Sequence, residues 1–369
     1  SSHFESNWPR QAVLACTSSC FRMASVGCRR VPRTALCGGL AFLAIFVWVP
    51  IHWTLFEETK ITAYDPNLQL HEIECQNPRP CSVHQAAGRP RNTQDTIHDF
   101  IFKRHRRIEG WLSDPVVYAT LKIFALQRKF QVSGSLGEIG AHHGKLFSIF
   151  ALLASEYEYT NRQLFVSDMF SWSASRDSGM LSNALALANA SLDCVRVYGD
   201  STKLSISSLF NESVSPFRIF SVDGDHSEFN ALHDLHKITA MLSDGGVVML
   251  DDFLRHDWKG VTTGWTKYLQ NESGRALRPF AFMGNKLLLT TTAFHHKYLA
   301  EFKSDRFLST GVWTASSTAK EHDLSHQSSA QLALEMLTGG HELLWSWDFH
   351  EQVPYHVMAS AIQDVLRAP

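Results

Sequence analysis

The sequence has almost no net charge. Its 34 Lys and Arg residues are matched by 36 Asp and Glu, a formal net charge of −2 over 369 residues. It therefore lacks the basic excess with which a chain neutralises phosphates, and nucleic acid is not an expected partner. Cysteine is sparse beyond the N-terminal part: Cys16, Cys20, Cys28 and Cys37 come early, and only Cys75, Cys81 and Cys194 follow. Cys75 and Cys81 could close a short loop in an oxidising compartment or remain free thiols. No internal repeat is present. No G-x-G-x-x-G occurs, so a dinucleotide-binding fingerprint is a poor match. The first residue is not Met, which fits a chain that begins inside a longer one. What is present, 44% hydrophobic and 19% charged residues, fits a globular core and not disorder.

Charge is also missing from one long stretch, Thr34 to Phe56. At ~1.5 Å per residue a helix of this length crosses a ~30 Å hydrocarbon core. Trp48 and Trp53 suit a membrane interface. Arg29, Arg30 and Arg33 precede the stretch and Glu57 and Glu58 follow it. The expectation is a transmembrane signal-anchor at 34–56, with residues 1–33 cytoplasmic and a lumenal catalytic part. The competing expectation is an organelle leader that is cleaved. Residues 1–33 are rich in Ser and Arg with one acidic residue, Glu5, and Pro50 and His52 interrupt the span. Asn189-Ala190-Ser191, Asn211-Glu212-Ser213 and Asn271-Glu272-Ser273 are glycosylation acceptor patterns that matter only in a lumenal compartment.

Residues 57–95 lack periodicity and read as a linker. From Thr96 the apolar spacing becomes helical, with Ser113-Asp114-Pro115 as a helix start. Strands and helices then alternate. Strands are expected at Leu136–Ile139, Leu164–Val166, Cys194–Tyr198, Phe217–Val222 and Val247–Leu250. Helices are expected at Lys145–Glu156, Gly179–Ala190 and Ser227–Leu242. Phe280–Met283, Gly284-Asn285 and Lys286–Thr290 read as a hairpin. The expected fold class is α/β: a doubly wound, mostly parallel sheet of about seven strands ending in an antiparallel hairpin. Residues 96–294 would carry it, and 295–369 form an extension without an assigned role.

Acidic residues recur where the strands end. In "LGEIGAHHGKLF", Glu138 precedes a turn containing Gly140 and Gly144, which lets backbone approach a ligand. An acid there opposes a pyrophosphate and suits a cationic ligand. Asp168 follows the second strand, Asp200 the third, Asp223 the fourth, and Asp251 and Asp252 the fifth. Ligands of open α/β sheets bind outside the carboxyl ends of the strands. One such Asp is readily a helix cap; a whole series is not only caps.

Glu138-Ile139-Gly140…Gly144, Asp168, Asp200, "VDGDH" and "GGVVMLDDF" resemble the class I S-adenosylmethionine-dependent methyltransferases. The likeness is to the metal-dependent O-methyltransferase branch acting on macrolide sugars and catechols. It runs from about Ile108 to Thr292 and includes "IEGWL" and "WKGV". The resemblance implies a Rossmann-like methyltransferase fold. It implies that Glu138, Gly140 and Gly144 take the methionine part of S-adenosylmethionine, that Asp168 takes the ribose, and that Asp200 lies near adenine. "GAHHG" departs from the pattern: His142 and His143 replace smaller residues, and they either line the cofactor or cap the helix, with capping the favoured expectation.

The same resemblance assigns Asp223, Asp251 and Asp252 to Mg²⁺ or another divalent cation, which agrees with the oxygen preference of Mg²⁺. His226, three residues past Asp223, is the candidate general base. Asp225 reads as a cap or supporting group for the following helix. The expected activity is methyl transfer to a hydroxyl of a small molecule or sugar. The alternatives are an inactive cofactor-binding module and a metal-dependent hydroxylase resembling cephalosporin hydroxylase.

Overall fold

The structure, a computed structural model, describes residues 93–157, 164–170, 179–190, 195–206, 215–271, 276–309, 343–346 and 353–367. Helix α1 (Thr93–Asp99) continues through helical turns at Phe100–Arg104 and His105–Arg107. Helix α2 (Asp114–Lys129) follows, with Ser113 at its N-cap and Pro115 in its first turn, where a missing N–H costs nothing. The alternating part is β1 (Ser135–Ile139), α3 (Lys145–Tyr157), β2 (Leu164–Ser167), α4 (Gly179–Leu187), β3 (Val195–Tyr198), β4 (Phe217–Val222), α5 (Glu228–Ala240), β5 (Leu242–Leu250) and α6 (Lys259–Gln270). The hairpin β6 (Leu277–Met283) and β7 (Lys286–Thr291) comes next. Helices α7 (His295–Lys303) and α8 (Arg306–Ser309), strand β8 (Leu344–Ser346) and helix α9 (Tyr355–Arg367) end the described chain.

The sheet order is β3-β2-β1-β4-β5-β7-β6-β8. The first five strands pair in parallel, and β7 runs antiparallel to both β5 and β6. The expected doubly wound sheet with an antiparallel end is therefore present, with a short eighth strand added parallel to β6. The central strands are buried along most of their length because both faces are covered. Alternate residues of β5 show it: Val247 and Met249 join a core with α2 and α3, while Val248 and Leu250 join one with Trp265 and Tyr268 of α6. Each fully buried Phe in these cores, such as Phe147, Phe217 and Phe220, contributes roughly 1.5–3 kcal/mol.

Beyond residue 294, where the sequence offers no role, α9 buries Met358, Ile362, Val365 and Leu366 in the first core. Val353 N donates to Asp114 Oδ2 at 3.0 Å, and Gln94 Nε2 donates to Leu366 O at 3.2 Å.

One expectation is corrected. Among the described residues no helix is long and apolar enough to cross a membrane, against the single-pass, signal-anchor reading and the lumenal placement drawn from it. The longest of these helices, α2, has 16 residues and spans only ~24 Å. Its apolar face is already covered by the sheet and α9. Residues 34–56, on which that reading fell, lie outside the described residues, as do Cys75, Cys81, Cys194 and Asn211.

The strand order also locates a binding crevice. The chain winds one way from β1 through β2 to β3, then returns to the other side of β1 as β4. Between β1 and β4 the connections diverge, and that switch point opens at the carboxyl ends.

Candidate active site

β1 ends in a turn at Gly140, whose φ is +81°. A Cβ on Gly140 would stand 1.7 Å from the carbonyl oxygen of Asp223, so no other residue fits. Asp223 N donates to Ile139 O at 2.9 Å, and Gly140 N donates to Ser167 O at 2.8 Å. The glycine turn therefore lies backbone to backbone against the segment that follows β4. Gly144 closes the turn just before α3.

Asp168, after β2, reaches the same turn. Its Oδ2 accepts from His142 N and its Oδ1 from Phe170 N, both at 2.6 Å. Each oxygen keeps capacity for a second donor. His142 sits at φ +52°, stacks on His143 at 3.8 Å and approaches Trp111, which is 85% exposed. Asp200 is a cap: its Oδ1 accepts from Thr202 N at 3.0 Å and from Thr202 Oγ1 at 2.6 Å. Burial raises its pKa, but Thr202 and Lys203 outweigh that and hold it below the usual carboxylate range.

Beneath the turn lies a buried charged group. Glu138 is buried and its Oε2 has no hydrogen-bond partner. Burial, with Asp251 nearby and Lys286 opposing, pushes its pKa up to about 8. Lys286, 2% exposed at the start of β7, places Nζ 2.7 Å from Asp251 Oδ2 and 3.6 Å from Asp223 Oδ2. Burial disfavours its charge, but Asp251 and Asp223 outweigh that, so it stays an ammonium. Asp251 is raised by burial and by the Asp223 carboxylate, and its Oδ1 is unpartnered.

The second group faces outward. His226 Nε2 lies 3.2 Å from Asp252 Oδ2 and 3.6 Å from Asp223 Oδ1. Although shut off from solvent, Nε2 forms no hydrogen bond, so these are ion-pair approaches. One ligand atom from each of Asp223, His226 and Asp252 falls within 4.8 Å of the others. Burial lowers the His226 pKa, yet the two carboxylates outweigh it and raise it to about 9. Asp252 is raised by burial but held low by His226, Asn285 and Arg255.

Local structure fixes these side chains. Asp252 adopts φ +51°, a conformation that a non-glycine residue keeps only when its surroundings hold it. Its Oδ1 accepts from Asn285 Nδ2 at 2.8 Å and Arg255 Nη1 at 3.3 Å, which turns Oδ2 toward His226. Phe253 N donates to Asn285 O at 3.1 Å, tying the hairpin tip to the loop after β5. Trp258 stacks on the imidazole with centroids 4.3 Å apart and planes at 28°. Gly260 lets α6 pack close, since a Cβ there would stand 2.3 Å from His226 O. Asp225 braces the start of α5 by accepting from Ser227 N and from the Asn230 amide.

The structure thus gathers Glu138, Asp223, Asp251, Asp252 and His226 at the end of β1, β4 and β5. Asp168 joins them through the glycine turn. Asp200 makes its contacts within its own turn. His256 points away, 89% exposed and paired with Asp257 at 2.8 Å. Lys286, Asn285 and Trp258 are not assigned to the site by the sequence: Asn285 and Lys286 read only as hairpin residues, and Trp258 only as part of "WKGV". A register argument could have found Lys286: Leu250 pairs with Leu287, so the residue before Leu287 must lie beside the residue after Leu250.

Residues 138–253 match the family model described as a methyltransferase domain. No curated protein matches the chain. Among solved structures, CalS11, a TDP-rhamnose 3'-O-methyltransferase of calicheamicin biosynthesis, is 19% identical with a TM-score of 0.40. The match covers 54% of this chain and 92% of that one. A Bacillus cereus O-methyltransferase in complex with SAH is 15% identical with a TM-score of 0.37, covering 54% and 90%. MycE, from the mycinamycin pathway in complex with Mg and SAH, is 13% identical with a TM-score of 0.35, covering 55% of each chain. At these identities and TM-scores the likenesses carry nothing about this chain's acceptor or metal. The family match falls on the segment that bears the glycine turn and the acidic strand ends, so residues 138–253 are similar to a methyltransferase domain, set here on a β3-β2-β1-β4-β5-β7-β6 sheet.

Proposed function

We propose that the protein transfers a methyl group from S-adenosylmethionine to a hydroxyl of a small molecule or sugar, with a divalent cation held after β4 and β5. The observation that carries this reading is the backbone contact between Gly140 and Asp223. It sets a cofactor turn and an acidic cation-binding group side by side at the switch point, so donor and acceptor can meet there.

The residues fit both groups. Glu138 Oε2 and Asp251 Oδ1 are buried oxygens without partners. The Glu138 oxygen suits the methionine ammonium, whose charge would return Glu138 to its carboxylate form. The free lone pairs of Asp168 suit the ribose diol. When bound, a divalent cation lowers the pKa of an acceptor hydroxyl and orients it. Asp223 and Asp252 supply carboxylates to hold it. Lys286 keeps Asp251 and Asp223 from repelling one another. His226, the expected base, borders the same site, with Nε2 3.2 Å from Asp252 Oδ2 and 3.6 Å from Asp223 Oδ1.

The test is to supply S-adenosylmethionine labelled at its methyl group with a panel of sugars, diols and phenols. Label recovered in an ether product supports the reading. Label recovered only on nitrogen or carbon acceptors overturns it.

A further inference from the structure

The sequence pattern assigns the cation to Asp223, Asp251 and Asp252. The geometry divides those residues differently. Among the described residues the set able to share one cation is Asp223, His226 and Asp252. Metal–donor bonds of about 2.1 Å place donors roughly 3 Å apart when adjacent and roughly 4.2 Å apart when opposite. Nε2 of His226 lies 3.2 Å and 3.6 Å from its two carboxylate oxygens, within that range. It is sheltered from solvent and makes no hydrogen bond. Asp252 has its other oxygen occupied by Asn285 and Arg255, and Trp258 fixes the imidazole plane. Such outer contacts are what orient metal donors.

Asp251 adjoins Asp223 but is not in that set, and it holds the closer contact of the two to Lys286. Its Oδ2 is 2.7 Å from the buried Nζ of Lys286, so an ammonium already stands against this carboxylate. A second cation brought to Asp251 would meet that charge at close range. Glu138, which also leaves a buried oxygen unpartnered, borders the same ammonium.

We infer that His226 is a metal donor, that Asp251 is not, and that the Asp223–His226–Asp252 site takes a borderline divalent cation such as Mn²⁺, Fe²⁺, Co²⁺ or Zn²⁺ in preference to Mg²⁺. An imidazole nitrogen in place of a third carboxylate shifts a site toward these metals. The inference rests on the cation of the proposed reaction, but its test does not require turnover.

The experiment titrates Mn²⁺ and then Mg²⁺ into the full chain, follows binding by electron paramagnetic resonance and calorimetry, and records pulsed spectra of the Mn²⁺ complex. Expected are tighter binding of Mn²⁺ than of Mg²⁺ and nitrogen hyperfine coupling to the bound ion. In His226→Gln the coupling should vanish and affinity fall at least tenfold. In Asp251→Asn the coupling should persist and affinity stay within about threefold, since outer contacts typically cost 10–100-fold only when they orient a donor. Absence of nitrogen coupling in the wild type, which needs no variant to fold, overturns the inference. So does loss of Mn²⁺ binding in a folded Asp251→Asn chain. If Mn²⁺ does not bind at all, the cation of the proposed reaction fails as well, whereas binding without nitrogen coupling sinks only the assignment of His226.

Discussion

Replacing Lys286 with Met removes one charge and keeps most of the methylene packing. The ammonium is 2% exposed and stands 2.7 Å from Asp251 and 3.6 Å from Asp223. Without it Asp251, Asp223 and Glu138 face one another with no buried cation between them. Breaking a buried pair in this way typically costs about 3–5 kcal/mol, because a charge is left uncompensated. The acids can escape by taking up protons, so the cost must depend on pH. Glu138 already titrates at about 8, with burial as the main cause and Lys286 as the main opposing influence. Its pKa and that of Asp251 rise further in the variant. An acid whose folded pKa exceeds its unfolded value binds a proton on folding, so stability falls as pH rises from the unfolded value toward the folded one. Urea unfolding should show a deficit of about 3–5 kcal/mol near pH 8 that shrinks to half or less near pH 5. A deficit that is equal at both pH values, or below about 1 kcal/mol at the higher one, would refute the reasoning.

Three further outcomes are expected. Asp168→Ala should weaken binding of S-adenosylhomocysteine roughly 10–150-fold, the worth of a charge-assisted hydrogen bond of about 1.5–3 kcal/mol; unchanged calorimetric affinity in a folded variant would remove Asp168 from the cofactor site. Gly140→Ala should fail to fold or lose cofactor binding, because its Cβ would meet Asp223 O at 1.7 Å; a folded variant that binds normally would contradict the backbone contact. His105, buried and bonded to Lys145 O at 3.0 Å, is lowered from 6.5 to about 4 by burial. Its contribution is present above the unfolded value and lost as pH falls from 6.5 toward 4, up to about 3 kcal/mol. Denaturation across that window should be flatter by one proton in His105→Gln, and an unchanged slope would show that another group is responsible.

Much of this fold is legible in the sequence because its signals are local. Buried parallel strands such as Phe217–Val222 are mostly apolar, with Arg218 and Ser221 the exceptions there, and an acid follows the strand end. The hairpin announces itself through Gly284-Asn285. The ends of β5 and α5 are less legible: β5 begins at Leu242, where the pairing of Leu242 with Phe217 extends a strand that its own sequence would start at Val247. The acidic strand ends were legible as a group but not in their partnerships. Asp251 and Asp252 are neighbours in sequence, yet one turns inward to Lys286 and the other outward to His226, because Asp252 adopts a positive φ. No spacing rule reveals that turn. The covering role of α9 was hidden for a similar reason: its partners, Gln94 and Asp114, lie more than two hundred residues earlier in the chain.

The central claim is that the switch point between β1 and β4 binds S-adenosylmethionine. Calorimetric titration of S-adenosylhomocysteine into the full chain tests it most directly, with NAD⁺ as the control ligand. The account predicts one-to-one binding of S-adenosylhomocysteine, no binding of NAD⁺, and loss of affinity in Glu138→Ala with the fold intact. Absence of binding by the folded wild-type chain, or wild-type affinity in both Glu138→Ala and Asp168→Ala, would contradict it.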